Sequence, residues 1–424
     1  MIPLTSIYLE VARRVDGATL VSEALSSSPE LVASGPVHVL AVGKVAFPMF
    51  EGLVGRFGAD RIASGLLIAP ETRFPVDAKL PPGVRGLVSD HPDASERSVA
   101  AGRAARELLM AIAPSDRLVV LLSGGASAAM SVPAAGLSLD EKRTTTKAVA
   151  RAGASIAELN TVRKHLSAIK GGQLALATQA QTTVLTLSDV VGSDPGVIAS
   201  GPFSPDATTF AQALALVQRL APNAPTAVFE HLRRGVAGAL TETPKPGDPR
   251  LGHVDYKLLA GPERVPEEAK RIIEREGSAA GTLSLNTEAS VDDLALQYGK
   301  RARRESQSGG PPHVLIGNGE PSIVVRGDGR GGRATHLALL MAREIAGMPN
   351  IAFLAAGTDD RDGASDASGA IVDGSTWERA QSQGLDPAGA LDRCDSEAPL
   401  KALGALVRGP GTSNLLDLHL LAMV

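Results

Sequence analysis

Four short motifs in this 424-residue chain place small, hydroxylic, cationic or carboxylate groups directly after apolar runs. They are Gly43-Lys44, Ser123-Gly124-Gly125-Ala126-Ser127, Ser188-Asp189 and Gly357-Thr358-Asp359. In an open α/β sheet, ligands sit beyond the carboxyl ends of the strands, so chemistry is expected there first. Gly43-Lys44 offers an anion the N–H groups of a starting helix and a point charge, unless the lysine is merely solvated. Gly124 and Gly125 let the backbone approach a phosphate or carboxylate, and Ser123 and Ser127 add hydroxyl donors; a plain βα turn is the alternative. No G-x-x-x-x-G-K-[ST] loop occurs in the chain. A carboxylate such as Asp189, ending a buried strand, is costly unless it is paired, metal-bound or used, with a turn or cap as the other reading.

Cations gather at Arg163-Lys164-His165 and Lys170-Gly171-Gly172, as a ligand patch or as an exposed helix face. Gly327-x-Gly329-x-x-Gly332 reads as a dinucleotide fingerprint and supports an NAD(P)-dependent reductase. Two features oppose that. Asp359 lies 32 residues after Gly327, beyond the roughly 20 expected for a ribose-binding acid. Arg330 and Arg333 also crowd the loop, which suits a polyphosphate or a transferring phosphoryl group better. The oxygen-rich run Thr358-Asp359-Asp360-Arg361-Asp362, with Asp366 nearby, suits Mg²⁺ more than zinc. Gly409 to Asn414 forms a loop able to bind a polyanion or to cap a helix. Lysines, arginines, glycine loops and aspartates together make the set that phosphoryl transfer requires.

The elements that must position these groups follow from patterning. His38–Val42, Arg61–Ala69, Val84–Ser89, Arg117–Leu122 and Thr182–Leu187 read as strands, with helix-like sequence after the first, third and fourth. Asp93 with Glu96, and Ser138 with Glu141, have the spacing of capping boxes. A further helix spans Ser155–Ser167. Alternation without tight hairpins predicts a mostly parallel sheet covered on both faces. The Pro- and Gly-rich stretch from Pro222 to Pro249 marks a boundary, giving domains at 1–235 and 250–424. Beyond it, His313–Ile316, Ser322–Arg326 and Ile351–Ala356 read as strands, Leu337–Ile345 as a helix, and the apolar C-terminus as a last helix.

Composition bounds the function. Apolar residues make up 44% and charged residues 21%, as in an ordinary globular protein, and 424 residues imply two domains. A net charge of -4 and 3% aromatics give no case for nucleic acid or a membrane surface. Cys394 is the only cysteine, which excludes an intramolecular disulfide and fits a reducing compartment. No apolar run reaches membrane-span length, and Glu10 with two arginines makes the N-terminus an amphipathic helix rather than a signal peptide. A cytoplasmic location is expected; the oligomeric state is left open, a homodimer included.

The chain resembles the class II glycerate kinases, or glycerate 2-kinases (the MOFRL family), whose members are often labelled hydroxypyruvate reductases. The motifs are AVGKVAFPM (41–49), SDHPDASE (89–96), LLSGGASA (121–128), ELNTVRKHLSAIKGGQLA (158–175), LSDVVGSDPGVIASGPFSPD (187–206), GRGGR (329–333) and AAGTDDRDGASDASGA (355–370). The resemblance implies an α/β protein: an N-terminal Rossmann-like, doubly wound parallel-sheet domain and a mixed α/β C-terminal domain, with the active site in the cleft between them. It implies ATP, Mg²⁺ and the conversion of D-glycerate to 2-phosphoglycerate. Lys44 and Arg333 map onto the family's catalytic pair, with Asp189 as base or metal ligand and Asp359 as second metal ligand. Gly43, Ser123, Gly124, Gly125, Ser127, Arg163, Lys164, Lys170, Ser188, Gly329, Gly331, Gly332, Thr358 and Thr412 are the expected binding positions. Three family motifs are altered: Ala334-Thr335-His336 replaces Asn-Gln-Glu, Gly317 to Ser322 replaces Ser-Gly-Gly-Glu-Thr-Thr, and Gly411 to Asp417 replaces Gly-Thr-Asn-Val-Asn-Asp. All lie in the C-terminal half, so another small hydroxy acid stands as the alternative acceptor.

Overall fold

The first sheet is built from β1 (Val37–Val42), β2 (Ile62–Pro70), β3 (Val84–Ser89), β4 (Arg117–Leu122), β5 (Gln181–Leu187) and β6 (Val254–Ala260). Their order is β3-β2-β1-β4-β5-β6, and the pairings among β1 to β5 are all parallel. This is the doubly wound order of dinucleotide-binding folds. Val39 to Val42 and Leu118 to Leu122 are buried, as strands covered on both faces must be. The computed structural model describes residues 2–27, 35–75, 77, 79–190, 192, 194–283, 289–308, 310–359 and 361–423.

These residues form two compact units, Leu20–Leu259 and Met1–Thr19 with Ala260–Val424. The N-terminal helix Leu4–Arg14 therefore packs with the C-terminal half, not with the rest of 1–235. Its apolar stripe of Leu4, Ile7, Tyr8 and Val11 is buried there, and the Tyr8 hydroxyl donates to Gly357 O at 2.7 Å. The first unit also runs past the Pro- and Gly-rich stretch, because β6 completes its sheet.

The second sheet contains β7 (Ala279–Thr282), β8 (His313–Gly319), β9 (Ile351–Asp359), β10 (Gly369–Asp373), β11 (Leu406–Val407) and β12 (Thr412–Met423). Its order is β11-β10-β9-β12-β8-β7, with one parallel pairing, β7 to β8, and antiparallel pairings elsewhere. The C-terminal segment is thus a strand at the centre of a sheet, not a helix. A short run apolar on both faces has no period that separates a buried strand from a buried helix. Residues 322–326 form no strand; only Ser322 makes a bridge, to Ser290. The helix Glu96–Met110 is capped by Ser95 in a box with Ser98, while Asp93 pairs with Lys147 at 2.7 Å. The Ser138–Glu141 box forms as expected. Among the described residues no helix is long and apolar enough to cross a membrane.

Candidate active site

Strand register brings two of the motifs side by side. β1 and β4 run parallel with Val42 opposite Leu122, so Gly43 and Ser123 leave the sheet together. The chain winds outward from β1 to β2 and β3, then crosses back to β4, which makes this pair of strand ends the topological switch point. The turns are stitched: Ser123 N donates to Val42 O (3.0 Å), Lys44 N to Gly124 O (2.9 Å) and Val45 N to Ser123 Oγ (3.0 Å). Gly43 has φ +121°, and a Cβ there would lie 2.6 Å from Ser123 O and 2.8 Å from Gly124 O. Only glycine meets both demands. A Cβ on Gly125 would lie 3.1 Å from the His91 ring and 3.3 Å from Lys44 Cγ, so Lys44, His91 and Gly125 meet. Burial, then the Lys44 charge, lowers the His91 pKa to about 4, so the ring is neutral.

Next along the sheet, the Ser188 hydroxyl closes a turn, accepting from Val190 N and donating to Val190 O at 3.1 Å each. This hydroxyl is structural, and it sets Asp189 half-buried at the end of β5.

Beside Gly125 opens a cavity of about 370 Å³, lined among others by His91, Ser127, Ser131, Lys142, Arg163, Lys170 and Ser200. Its rim charges cancel, Lys147 against Asp93 and Arg143 against Asp140. Its inner charges do not. Lys142 Nζ donates to Ser131 Oγ (3.0 Å) and Lys170 Nζ to Ala199 O (2.9 Å). Among the described residues no carboxylate pairs with Lys142, Arg163 or Lys170. Burial, then Arg163, lowers the Lys142 pKa to about 7. Burial, then Lys142 and Arg163, drives Lys170 well below its ordinary value, and burial lowers Arg163.

Three consecutive residues here, Ala199, Ser200 and Gly201, hold positive φ of 54°, 60° and 63°. Left-handed backbone at two non-glycine residues is a strained arrangement of the kind found at functional sites. It aims the Ala199 carbonyl at Lys170 and seats Ser200 Oγ 2.7 Å from Ser127 Oγ and 2.9 Å from Asn160 Oδ1.

Lys164 does not join the cavity. It pairs at 3.2 Å with Asp206, which is fully buried and also accepts from Thr208 and Thr243. Consecutive helix residues point about 100° apart, so Arg163 and Lys164 serve different surroundings.

In the other unit, Arg333 opens the helix Arg333–Glu344. Asp417 of β12 accepts from its Nε at 2.7 Å and its Nη2 at 3.1 Å, and Glu320 takes Nη1. Burial opposes the Arg333 charge, but these two carboxylates more than offset it and raise the pKa. Asp362 fills the start of that helix, accepting from Ala334 N (3.0 Å), Thr335 N (2.6 Å) and Thr335 Oγ1 (2.7 Å). Burial, then Asp417, raises its pKa to about 6.

The glycines of the fingerprint are accounted for by packing. A Cβ on Gly329 would lie 2.5 Å from Arg393 O, one on Gly331 would strike Ser396, and one on Gly332 would lie 2.5 Å from Asp362 Cγ. With no strand before it and a carboxylate where a pyrophosphate would rest, this loop is not a dinucleotide site. Arg330 is likewise tied to Asp366 (3.1 Å) and Glu397 (3.3 Å).

Thr358 Oγ1 donates to Leu416 O (3.0 Å) and accepts from Leu415 N (2.7 Å), holding the bulge where β12 departs from β9. Thr412 lies opposite Asp359, its buried Oγ1 without a partner among the described residues. Asp359 and Asp417 converge on Gly357, whose Cβ would lie 3.1 and 3.2 Å from their Oδ1 atoms. Asp360 lies outside the described residues, among which no cluster of three or more metal-ligating side chains occurs.

Two family models match the chain: Domain of unknown function (DUF4147) over residues 4–233 and MOFRL family over residues 313–417. The D-glycerate 2-kinase of Thermotoga maritima is 33% identical over 422 residues, covering 98% of this chain and 97% of that protein. The chain belongs to the class II glycerate kinase family. Another relative, the glycerate 2-kinase of Pyrococcus horikoshii, is 32% identical over 91% of this chain and 87% of its own length. The crystal structure of the Thermotoga maritima glycerate kinase superposes with a TM-score of 0.83 at 32% identity, covering 99% of both chains. The match thus spans both units, including the altered C-terminal motifs of this glycerate kinase family member.

Sequence reasoning missed Lys142, His91, Ala199, Ser200 and Asp417. Two of these carried a signal. Lys142 shares the buried stripe of its helix with Thr145 and Val149, where an apolar residue is expected. Asp417, with His419, interrupts the otherwise apolar run Leu415 to Met423.

Proposed function

We propose that this chain transfers the γ-phosphoryl group of ATP to the 2-hydroxyl of D-glycerate, giving 2-phospho-D-glycerate and ADP. The observation that carries this reading is the 33% identity with a D-glycerate 2-kinase over 98% of the chain. The switch-point turns and the cation-rich cavity agree with it chemically. The backbone N–H groups of Gly124 and Gly125, which the turn does not use among the described residues, fit the phosphates of ATP together with Lys44. Lys44 offsets charge that spreads over the transferring phosphoryl oxygens. Asp189 accepts the proton of the attacking hydroxyl as its oxygen bonds to phosphorus and the bond to the ADP oxygen breaks. Arg333 supplies a second fixed cation.

The carboxylates also suit Mg²⁺, which needs only one or two of them besides substrate phosphates, so the lack of a three-ligand cluster among the described residues is no conflict. Asp359 is its proposed carboxylate ligand. When bound, Mg²⁺ would neutralise phosphate charge. We place the reaction in the cytoplasm. Purified protein should release ADP from ATP and Mg²⁺ on addition of D-glycerate. Release with another small hydroxy acid but not with D-glycerate would move the reading to that acceptor.

A further inference from the structure

We infer that the cavity around Lys142, Arg163 and Lys170 is the acceptor pocket, taking the carboxylate and hydroxyls of a small hydroxy acid. The inference rests on the phosphoryl-transfer reading and adds to it where the acceptor lies.

Two of the three cations are anchored, Lys142 by Ser131 and Lys170 by Ala199. The third is not: the Arg163 guanidinium lines the cavity without a hydrogen bond to protein among the described residues. A planar fork with free donors matches the two oxygens of a carboxylate. Lys142 and Lys170 are 6% and 2% exposed, and cations so buried are costly without an opposing charge. Since the described residues supply none, the missing charge belongs to a ligand. Ser127, Ser131 and Ser200 add three hydroxyls to the wall, partners for the hydroxyls of such an acid. Nucleotide phosphates are already provided for at the switch point, where the donors are the Gly124 and Gly125 amides and Lys44. Gly125 and His91 border both places, which sets the acceptor next to the transferring group.

The test compares wild type, Arg163→Gln and Lys142→Met by thermal shift and calorimetry, with D-glycerate and, separately, with a non-hydrolysable ATP analogue. Both variants relieve an unpaired buried charge, so both should fold. D-Glycerate should protect the wild type and bind each variant at least tenfold more weakly, while the ATP analogue protects all three alike. Variants that keep D-glycerate affinity but lose the ATP analogue would overturn the assignment and make the cavity a phosphate site. A wild type that no small hydroxy acid protects would overturn it too. If the wild type turns over D-glycerate and Arg163→Gln has an unchanged KM for it, the pocket fails while the kinase reading stands. If D-glycerate binds in an Arg163-dependent way without ADP release, the pocket stands and the kinase reading fails.

Discussion

Asp417 grips Arg333 through two hydrogen bonds, 2.7 Å to Nε and 3.1 Å to Nη2, and leaves Nη1 to the more exposed Glu320. The two carboxylates therefore differ in role: Asp417 is an anchor, and Glu320 a partner that an anionic group can replace. Asp417→Asn should lower kcat by about 10- to 100-fold and destabilise the fold, since breaking a buried pair costs about 3–5 kcal/mol. Glu320→Gln should stay within about threefold of wild type, as exposed pairs contribute about 0–1 kcal/mol. Arg333→Lys, which keeps charge but lacks the fork, should behave like Asp417→Asn. Steady-state kinetics with urea denaturation would decide; equal effects of the two acids would refute the distinction.

Gly43→Ala tests the switch point. The substitution needs a strained φ and drives a methyl into the Ser123 and Gly124 carbonyls, so the two turns must part. A shift of about 1 Å at a reacting group can cost on the order of 100-fold, and kcat/KM for ATP should fall by that order. A near-wild-type rate would remove these turns from the site.

Legibility varied with the kind of signal. Five of the six strands of the first sheet were readable, because β1, β3, β4 and β5 are mostly apolar runs ended by glycine or serine and β2 is an apolar run ended by Pro70. The second sheet was not. β12 is buried on both faces, so its sequence Leu415 to Met423 fits helix and strand alike, and only its neighbours β8 and β9 decide. Gly327 to Gly332 matched a phosphate-binding spacing, yet its glycines serve close packing on Arg393 to Ser396 and Asp362. Sequence spacing alone cannot tell an approach to phosphate from an approach to backbone. The cavity's cations were unequally legible: Arg163 and Lys170 stand in a dense basic motif, whereas Lys142 is marked only by the stripe it shares with Thr145 and Val149.

Lys142 predicts a pH dependence. Its pKa falls from 10.5 in the unfolded reference to about 7 in the folded protein. Between these values the unfolded chain binds more protons, so this group makes stability rise with pH from about 7 towards 10. At pH 6.5 the buried charge is a cost in the folded state. Lys142→Met should then be more stable than wild type by about 1–3 kcal/mol, and the gain should shrink as pH rises. Melting curves from pH 6 to 9.5 check this; a gain independent of pH would contradict it.

Lys164 and Asp206 form a structural pair. Asp206→Ala should cost about 3–5 kcal/mol, because it strands a buried ammonium. KM for both substrates should stay within about twofold for protein that remains folded, since neither residue lines the cavity. A raised KM at unchanged stability would return Lys164 to the binding residues.

The central claim is the transfer itself and its position on the acceptor. The most direct measurement incubates the protein with ATP, Mg²⁺ and D-glycerate and offers the product to enolase without a mutase. Immediate conversion to phosphoenolpyruvate is predicted, since enolase takes the 2-phosphate. ADP release with a product that enolase accepts only after a mutase, or no ADP release from folded protein that still binds ATP, would contradict the account.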